Sequence, residues 1–144
     1  MKMKSSSITF LFMIGIPILS MAQLEQHRWQ DRIILIFADS DQQKDFQEQW
    51  LDLQKDTTGL KERDLVVYRI FDQLGDEKLT PTDVRQLRKR YHSDQMPFKV
   101  LLIGKDGGIK AQQSSPIPRS DFFALIDGMP MRRAEIRRGK SKDH

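Results

Sequence analysis

The sequence predicts one layered α/β domain, with a four-stranded mixed sheet flanked by helices. Two short apolar runs, Arg32–Ala38 and Phe98–Ile103, are the main basis for this prediction. Each run is too continuous to leave one face in water, which is typical of strands buried on both faces. These runs alternate with amphipathic segments at helical spacing, which favours helices packed against a sheet. The 144 residues leave room for one such domain.

The segment after the first strand predicts a helix. Ser40 and Gln43 have the spacing of a capping box, so the helix is expected to begin there. The Thr-Thr-Gly sequence at residues 57–59 is expected to end it, with the glycine as the stop signal. The expected buried face consists of Phe46, Trp50 and Leu53.

Leu65–Ile70 is the second predicted strand. Because a helix connects it to the first, the two strands are expected to be parallel, with a right-handed crossover. Thr80 and Pro81 then fit the cap and the first turn of another helix. The apolar face of that helix is expected to contain Val84, Leu87 and Tyr91.

Phe98–Ile103 is expected to lead into a hairpin. The Gly-Lys-Asp-Gly-Gly sequence at residues 104–108 supplies the positive φ angles of a tight turn, and Ile109 begins the returning strand. Pro97 has no amide hydrogen for a sheet, so it is expected at the very start of the buried strand. Either isomer of the Met96–Pro97 bond is compatible with this placement.

Residues 119–127 predict a final helix that Gly128 and Pro130 end, with residues 132–138 adding an exposed turn. The resulting order, βαβαββα, is that of the thioredoxin-like fold. In that fold the first hairpin strand lies antiparallel beside the first strand of the chain. The inward-facing residues of the last helix are expected to be Phe122, Leu125, Ile126 and Met129.

The first 22 residues predict a signal peptide. A basic start precedes an apolar core at residues 8–19, and Ser20 and Ala22 are small residues at the positions that a signal peptidase recognises. The apolar core is shorter than the roughly 20 residues that a bilayer span needs. We therefore expect cleavage after Ala22 and a periplasmic or secreted protein, with an uncleaved membrane anchor as the alternative.

The mature chain is expected to consist of a domain at residues 23–138 and a basic disordered tail at residues 139–144. The whole sequence has 24 basic and 20 acidic residues, and six of the basic ones follow Met131. This uneven charge suggests an anionic or macromolecular partner in the cell envelope or outside the cell. We predict no nucleic-acid binding, and contact with a membrane only through the signal peptide before cleavage.

The chain contains no cysteine, which excludes thiol redox chemistry. Its histidines, His27, His92 and His144, are isolated in the sequence, so no metal site and no cofactor are predicted. These observations favour a protein without catalytic activity. A redox or hydrolytic enzyme that works without cysteine is the alternative.

Two long motifs carry a resemblance to a known family. They are Leu-Ile-Gly-Lys-Asp-Gly-Gly-Ile-Lys at residues 102–110 and Ala-Leu-Ile-Asp-Gly-Met-Pro-Met-Arg-Arg-Ala-Glu-Ile at residues 124–136. Together they resemble a thioredoxin-like, peroxiredoxin-like domain family of unknown function, whose relatives occur in extracellular proteins with sushi repeats. The resemblance implies the fold and an extracytoplasmic setting. It also implies a redox cysteine between Ala38 and Gln43, where this chain has none.

Asp39, Ser40 and Asp41 stand in that position, and together with Pro97 they are the predicted remnant of a redox corner. They could form a remodelled polar site or an ordinary helix start. We favour the helix start, because acids and serine stabilise the free amides of a helix N-terminus by about 0.5–2 kcal/mol.

The topology brings the motifs of the resemblance together at the opposite end of the sheet. One interpretation is a structural latch, in which acids at that end pair with the arginines. The other is a docking site, in which Lys105, Lys110, Arg132 and Arg133 remain uncompensated and bind an anionic group. The candidate binding residues are Arg63, Lys105, Asp106, Lys110, Arg132 and Arg133.

Overall fold

The computed structural model describes residues 22–72, 74–92 and 95–142, so all but the last residue of the predicted signal peptide lies outside it. The described residues form four strands and six helices. The strands are β1 (Arg32–Ala38), β2 (Leu65–Ile70), β3 (Phe98–Ile103) and β4 (Ile109–Gln113), and the helices are α1 (Ala22–Glu25), α2 (Lys44–Gln54), α3 (Thr57–Glu62), α4 (Pro81–Tyr91), α5 (Arg119–Asp127) and α6 (Pro130–Lys142).

The strands form one mixed sheet in the order β2-β1-β3-β4. β1 is parallel to β2, with Arg32 opposite Leu65, and antiparallel to β3, with Ala38 opposite Phe98. β3 then pairs with β4 as an antiparallel hairpin. This four-stranded mixed sheet flanked by helices confirms the predicted fold class.

All seven residues of β1 are buried, because helices cover both faces of the sheet. Ile34 and Ile36 face a core shared with α2, α3 and α5. Ile33 and Phe37 face a second core shared with α4. The helix residues of the first core are Phe46, Leu53, Leu60, Phe122 and Ile126, and those of the second are Val84, Leu87 and Tyr91.

Of the two helix caps that the sequence predicts, one is correct. The capping box of Ser40 and Gln43 is wrong, because α2 begins one residue after Gln43. The long Gln43 side chain instead reaches back and accepts a hydrogen bond from the Asp39 backbone N–H at 2.9 Å. At α4 the predicted Thr80 cap is confirmed, and Asp83 completes a reciprocal capping box.

The hairpin is also confirmed. The backbone N–H of Gly104 donates to the carbonyl oxygen of Gly108 at 2.9 Å, and Gly107 has a φ of 83°. Pro97 directly precedes β3. The described residues contain no cis peptide bond, so the bond between Met96 and Pro97 is trans.

The inward orientation predicted for Leu125 is wrong, since this side chain is 42% exposed. Phe122 and Ile126 are both fully buried and form the inner face of α5. Phe123 and Met129 pack against the same core as partly buried neighbours. The inner face of α5 is therefore centred on Phe122 and Ile126, which are four residues apart and lie on the same side of the helix.

The C-terminal segment is more regular than predicted. Pro130 occupies the first turn of α6, where proline is well tolerated, rather than simply ending α5. Residues 132–138 therefore belong to a complete helix, and residues 139–142 are helical where a disordered tail was expected. Residues 143–144 lie outside the described part of the chain. Among the helices described, none has the length and apolarity to span a membrane.

Gly59 lies inside α3, so the prediction that it ends α2 is wrong. Asp56 caps α3 by accepting a hydrogen bond from the Gly59 backbone N–H at 2.8 Å. A Cβ atom at position 59 would lie 2.5 Å from Asp56 Oδ2 and 2.7 Å from the Phe123 ring. Glycine is needed here for close packing, which its preference for helix ends does not reveal.

Replacing Gly59 by Ala is expected to lower the free energy of unfolding by about 1–3 kcal/mol, because the new methyl group overpacks the site. Gly139→Ala is the matched control, since among the described residues no atom outside its own stretch of helix lies within 4 Å of its Cβ position. The control is expected to be neutral or stabilising by up to about 1 kcal/mol. Urea unfolding measures both changes, and equal effects would contradict the packing role of Gly59.

Candidate functional site

The end of the sheet at which β1 stops carries the predicted redox-corner remnant. Asp39, Ser40 and Asp41 follow β1 directly and are exposed. β3 enters beside them, because its first residue pairs with the last residue of β1, and Pro97 precedes it. Across the described ranges, no group of three or more histidine or acidic residues is placed to hold a metal ion.

The two described histidines occupy other positions. His27 Nδ1 lies 2.7 Å from Asp31 Oδ2, and its Nε2 lies 2.7 Å from the Tyr68 hydroxyl. His92 stacks on Phe37, with ring centroids 5.1 Å apart. Neither arrangement presents to Ser40 the imidazole base that a serine nucleophile requires.

The opposite end of β1 gathers seven charged side chains, which we call the ion-pair pole. They come from the start of β1, the α3–β2 connection, the β3–β4 turn, the end of α5 and the first turns of α6. As the topology predicts, these ion pairs join the motif at residues 102–110 and the motif at residues 124–136 to the start of β1 and the α3–β2 connection. The members of the ion-pair pole are Arg32, Arg63, Asp64, Lys105, Asp127, Arg132 and Glu135.

Glu135 lies at the centre of the pole. Its Oε1 atom is 3.2 Å from Arg32 Nη2 and 2.8 Å from Lys105 Nζ, and its Oε2 atom is 3.5 Å from Arg132 Nη1. The Arg32 side chain is only 1% exposed and that of Lys105 only 8%. Lys105 Nζ also lies 2.7 Å from Asp64 Oδ2. Two buried cations are therefore compensated by two carboxylates, as buried charges require.

Asp127 forms the second junction of the pole. Arg63 binds it through two bonds, with Nη2 2.7 Å from Oδ2 and Nε 3.0 Å from Oδ1. Arg132 Nε approaches the same Oδ1 atom at 3.4 Å. The Arg63 guanidinium also lies over the Phe123 ring, 4.0 Å from its centroid. These contacts join the α3–β2 connection to both C-terminal helices.

The two central carboxylates are held in the charged state. Burial raises the pKa of Glu135, but hydrogen bonds and charges from Lys105 and Arg32 bring that pKa below its ordinary value. Burial likewise raises the pKa of Asp127, and Arg63 and Arg132 bring it below the ordinary value. In both cases the neighbouring cations lower the pKa by more than desolvation raises it.

Three of the four cations that the docking interpretation leaves uncompensated are paired, so for these three the contacts follow the latch interpretation. Lys110 is held by Asp106 at 2.7 Å, in the hairpin turn beside the pole. Arg133, by contrast, is exposed and makes no ion pair with a described residue, and the same holds for Arg137 and Arg138. Of the four cations of the docking interpretation, Arg133 alone is therefore free within the described part of the chain, and it shares α6 with the two other unpaired arginines. The paired cations are Lys105, Lys110 and Arg132.

Trp29 has a backbone conformation and an exposure that the sequence pattern does not reveal. It has a φ of 66° and a 63% exposed side chain. Its backbone N–H donates to the Lys105 carbonyl oxygen at 2.7 Å, which ties the lead-in segment to the hairpin turn. A bulky residue at positive φ is unusual, and no local signal foretells a contact so distant in sequence.

Residues 23–135 match a family described as Domain of unknown function (DUF4174). The chain belongs to this family. The match covers the sheet, both cores and the whole ion-pair pole, and it ends at Glu135. Arg137 and Arg138 therefore lie beyond the matched DUF4174 region.

Two comparisons place the DUF4174 chain among known proteins. It is 29% identical over 133 residues to Coiled-coil domain-containing protein 80 of Danio rerio, covering 78% of this chain but only 15% of that protein. Its structure resembles the reduced 2-Cys peroxiredoxin of Plasmodium vivax with a TM-score of 0.52 and 13% identity, covering 72% of this chain and 80% of the other. The second likeness shows a thioredoxin-like fold and nothing of activity. The expected link to sushi-repeat proteins stays a prediction.

Replacing Glu135 by Gln is expected to lower the free energy of unfolding by about 3–5 kcal/mol, because buried Arg32 and Lys105 lose the charge of their shared carboxylate. Glu62→Gln is the control, since Glu62 is 62% exposed and 3.9 Å from Arg63. The control is expected to cost less than about 1 kcal/mol. Similar losses for the two variants in urea unfolding would contradict the stabilising role of the pole.

The effect of Glu135→Gln is also expected to depend on pH. Because the folded-state pKa of Glu135 is depressed, its contribution is fully present above the unfolded-state value of about 4.3 and is lost as pH falls through the folded-state value. The difference in unfolding free energy between wild type and variant should stay constant from about pH 7 to about pH 5 and shrink below about pH 4. A difference that persists undiminished at about pH 2 would contradict this account.

Proposed function

We propose that this DUF4174 chain is an exported, non-catalytic thioredoxin-like module that binds a macromolecular partner through anionic groups on that partner. The observation that supports it best is the free charge of α6. Arg133, Arg137 and Arg138 are exposed and have no ion-pair partner among the described residues. Arginine suits such binding because its planar fork donates two hydrogen bonds to a carboxylate or a phosphate.

The arrangement of α6 supports this proposal. The first turns of the helix are held at the ion-pair pole through Arg132 and Glu135, whereas residues 137–139 are exposed. Arg133 and Arg137 are four residues apart and therefore share one side of the helix. In this proposal the pole keeps α6 in place, and the free arginines bind. The predicted site residues that serve the pole or the adjacent turn are Arg63, Lys105, Asp106, Lys110 and Arg132.

The absence of cysteine supports a non-catalytic role, because every thiol mechanism requires a thiolate. The likeness to a peroxiredoxin extends to the fold alone, and one fold serves many functions. The alternative is a redox or peroxidase-like enzyme that works without cysteine. Steady peroxide consumption by the purified protein, above that of buffer, would favour this alternative.

Export is the part of the proposal that rests on sequence. The basic start, the short apolar core, and the small residues Ser20 and Ala22 support a cleaved signal peptide and a periplasmic or secreted location. An anionic partner would then be met in the cell envelope or outside the cell. The intact mass of the exported protein would reveal whether it begins at Gln23.

Replacing Arg133, Arg137 and Arg138 together by Gln is expected to reduce crosslinked partner capture from the native cell envelope by about tenfold or more, since each 1.4 kcal/mol lost is a tenfold loss of affinity. The melting temperature should stay nearly unchanged, because these side chains are exposed. The matched control replaces three exposed lysines elsewhere, Lys61, Lys78 and Lys89, by Gln. Equal losses in both triple variants, or no loss in the first, would count against the proposal.

A further inference from the structure

A cleft opens at the carboxyl ends of β1 and β2. These strands are adjacent and parallel, but β1 leads into α2 on one face of the sheet and β2 leads into α4 on the other. Loops that depart in opposite directions leave a crevice between them, and such crevices are common binding places in α/β proteins. This one has a volume of about 460 Å³, compared with about 300 Å³ for the cleft beside the ion-pair pole.

The cleft combines apolar surface with negative charge. Leu74 is 70% exposed and Phe71 is half-buried, and no basic residue is among its described lining. Two of its three carboxylates make no ion pair with a described residue, whereas Arg88 lies 2.6 Å from the third, that of Asp72. Such a cleft fits side chains with an aliphatic stem and a cationic head. The three carboxylates belong to Asp39, Asp41 and Asp72.

The exposed part of α6, residues 137–139, has the chemistry that complements this cleft. Arg137 and Arg138 carry long aliphatic stems and are exposed, and no acidic residue follows Glu135 within the helix. The helix lacks a continuous apolar face, since Ala134 and Ile136 are only half-buried among charged neighbours. Its outer part is therefore suited to an acidic surface that also offers apolar contact.

The two complementary surfaces do not pair within one molecule. The cleft follows the end of β1, whereas Glu135 anchors α6 to Arg32 at the start of β1. The seven residues of β1 separate these ends by about 20 Å, at about 3.3 Å per residue. Neither Arg137 nor Arg138 makes an ion pair with a described residue of its own chain.

We propose that α6 of one copy docks into the cleft of a second copy, with Arg137 and Arg138 facing Asp39 and Asp41. This inference rests on the proposed function and names its anionic partner, a second copy of this chain. The contact joins two different surfaces, so each added copy leaves one helix and one cleft unoccupied. Such an interface extends as an open head-to-tail chain where the rotation between copies does not close, and forms a ring where it does.

Two double variants of the full exported chain test this proposal by sedimentation velocity. The cleft variant is Asp39→Asn with Asp41→Asn, and the helix variant is Arg137→Gln with Arg138→Gln. In dilute salt the wild type is expected to form oligomers that grow with protein concentration, and each variant alone is expected to be a monomer. An equal mixture should form dimers and nothing longer, because one component supplies the only intact helix and the other the only intact cleft.

High salt and charge-matched variants serve as controls. In about 1 M salt, where the Debye length is about 3 Å, the wild-type oligomers should dissociate. Glu48→Gln with Glu77→Gln, and Lys61→Gln with Lys78→Gln, change exposed charges elsewhere and should associate like the wild type. A monomeric wild type, a monomeric mixture, or a double variant that associates as the wild type does would overturn the proposal. If the wild type is monomeric while loss of the α6 arginines still abolishes partner capture, this inference fails and the proposed function stands.

Discussion

The structure depends on the ion pairs that the Glu135 carboxylate makes with buried Arg32 and Lys105. Arg32 begins the central strand at 1% exposure, and a charge so deeply buried is tolerated only with an ionised partner. That partner comes from α6, a helix without a continuous apolar face. The central strand therefore needs α6 for charge compensation, and the same ion pairs hold α6 against the start of that strand.

The two ends of the sheet differ in the chemistry of their side chains. At one end the family resemblance implies a redox centre, but the residues present are Asp39, Ser40 and Asp41 on an exposed loop. The cleft beside them persists because α2 and α4 leave on opposite faces of the sheet, whatever side chains line it. At the other end, most of the cations that the docking interpretation assigns to binding are paired with carboxylates. The cleft at this end is thus a consequence of the topology and does not require a cysteine beside it.

Local patterns predicted the strands well and the helix ends less well. The apolar run from Arg32 to Ala38 matches β1, since continuous apolar sequence has few other stable placements than a sheet covered on both faces. The predictions that Ser40 caps α2 and that Gly59 ends it are wrong, because capping and stop signals are only statistical preferences. Gln43 found a partner in the Asp39 backbone, and Gly59 makes room for the Phe123 ring. Each outcome was decided by a competing contact that the pattern does not contain.

The sequence by itself determined that thiol chemistry is excluded, that one strand is buried on both faces, and that charged motifs from distant segments converge at one end of the sheet. Only the tertiary structure decided which charges are compensated there. Arg32 and Glu135 are 103 residues apart, so no spacing rule links them. Whether a lysine or arginine is free to bind depends on distances of a few ångströms and on burial. These are set by the packing of α6 against the sheet, which is why Lys105 and Arg132 are held within the pole while Arg133, Arg137 and Arg138 remain exposed.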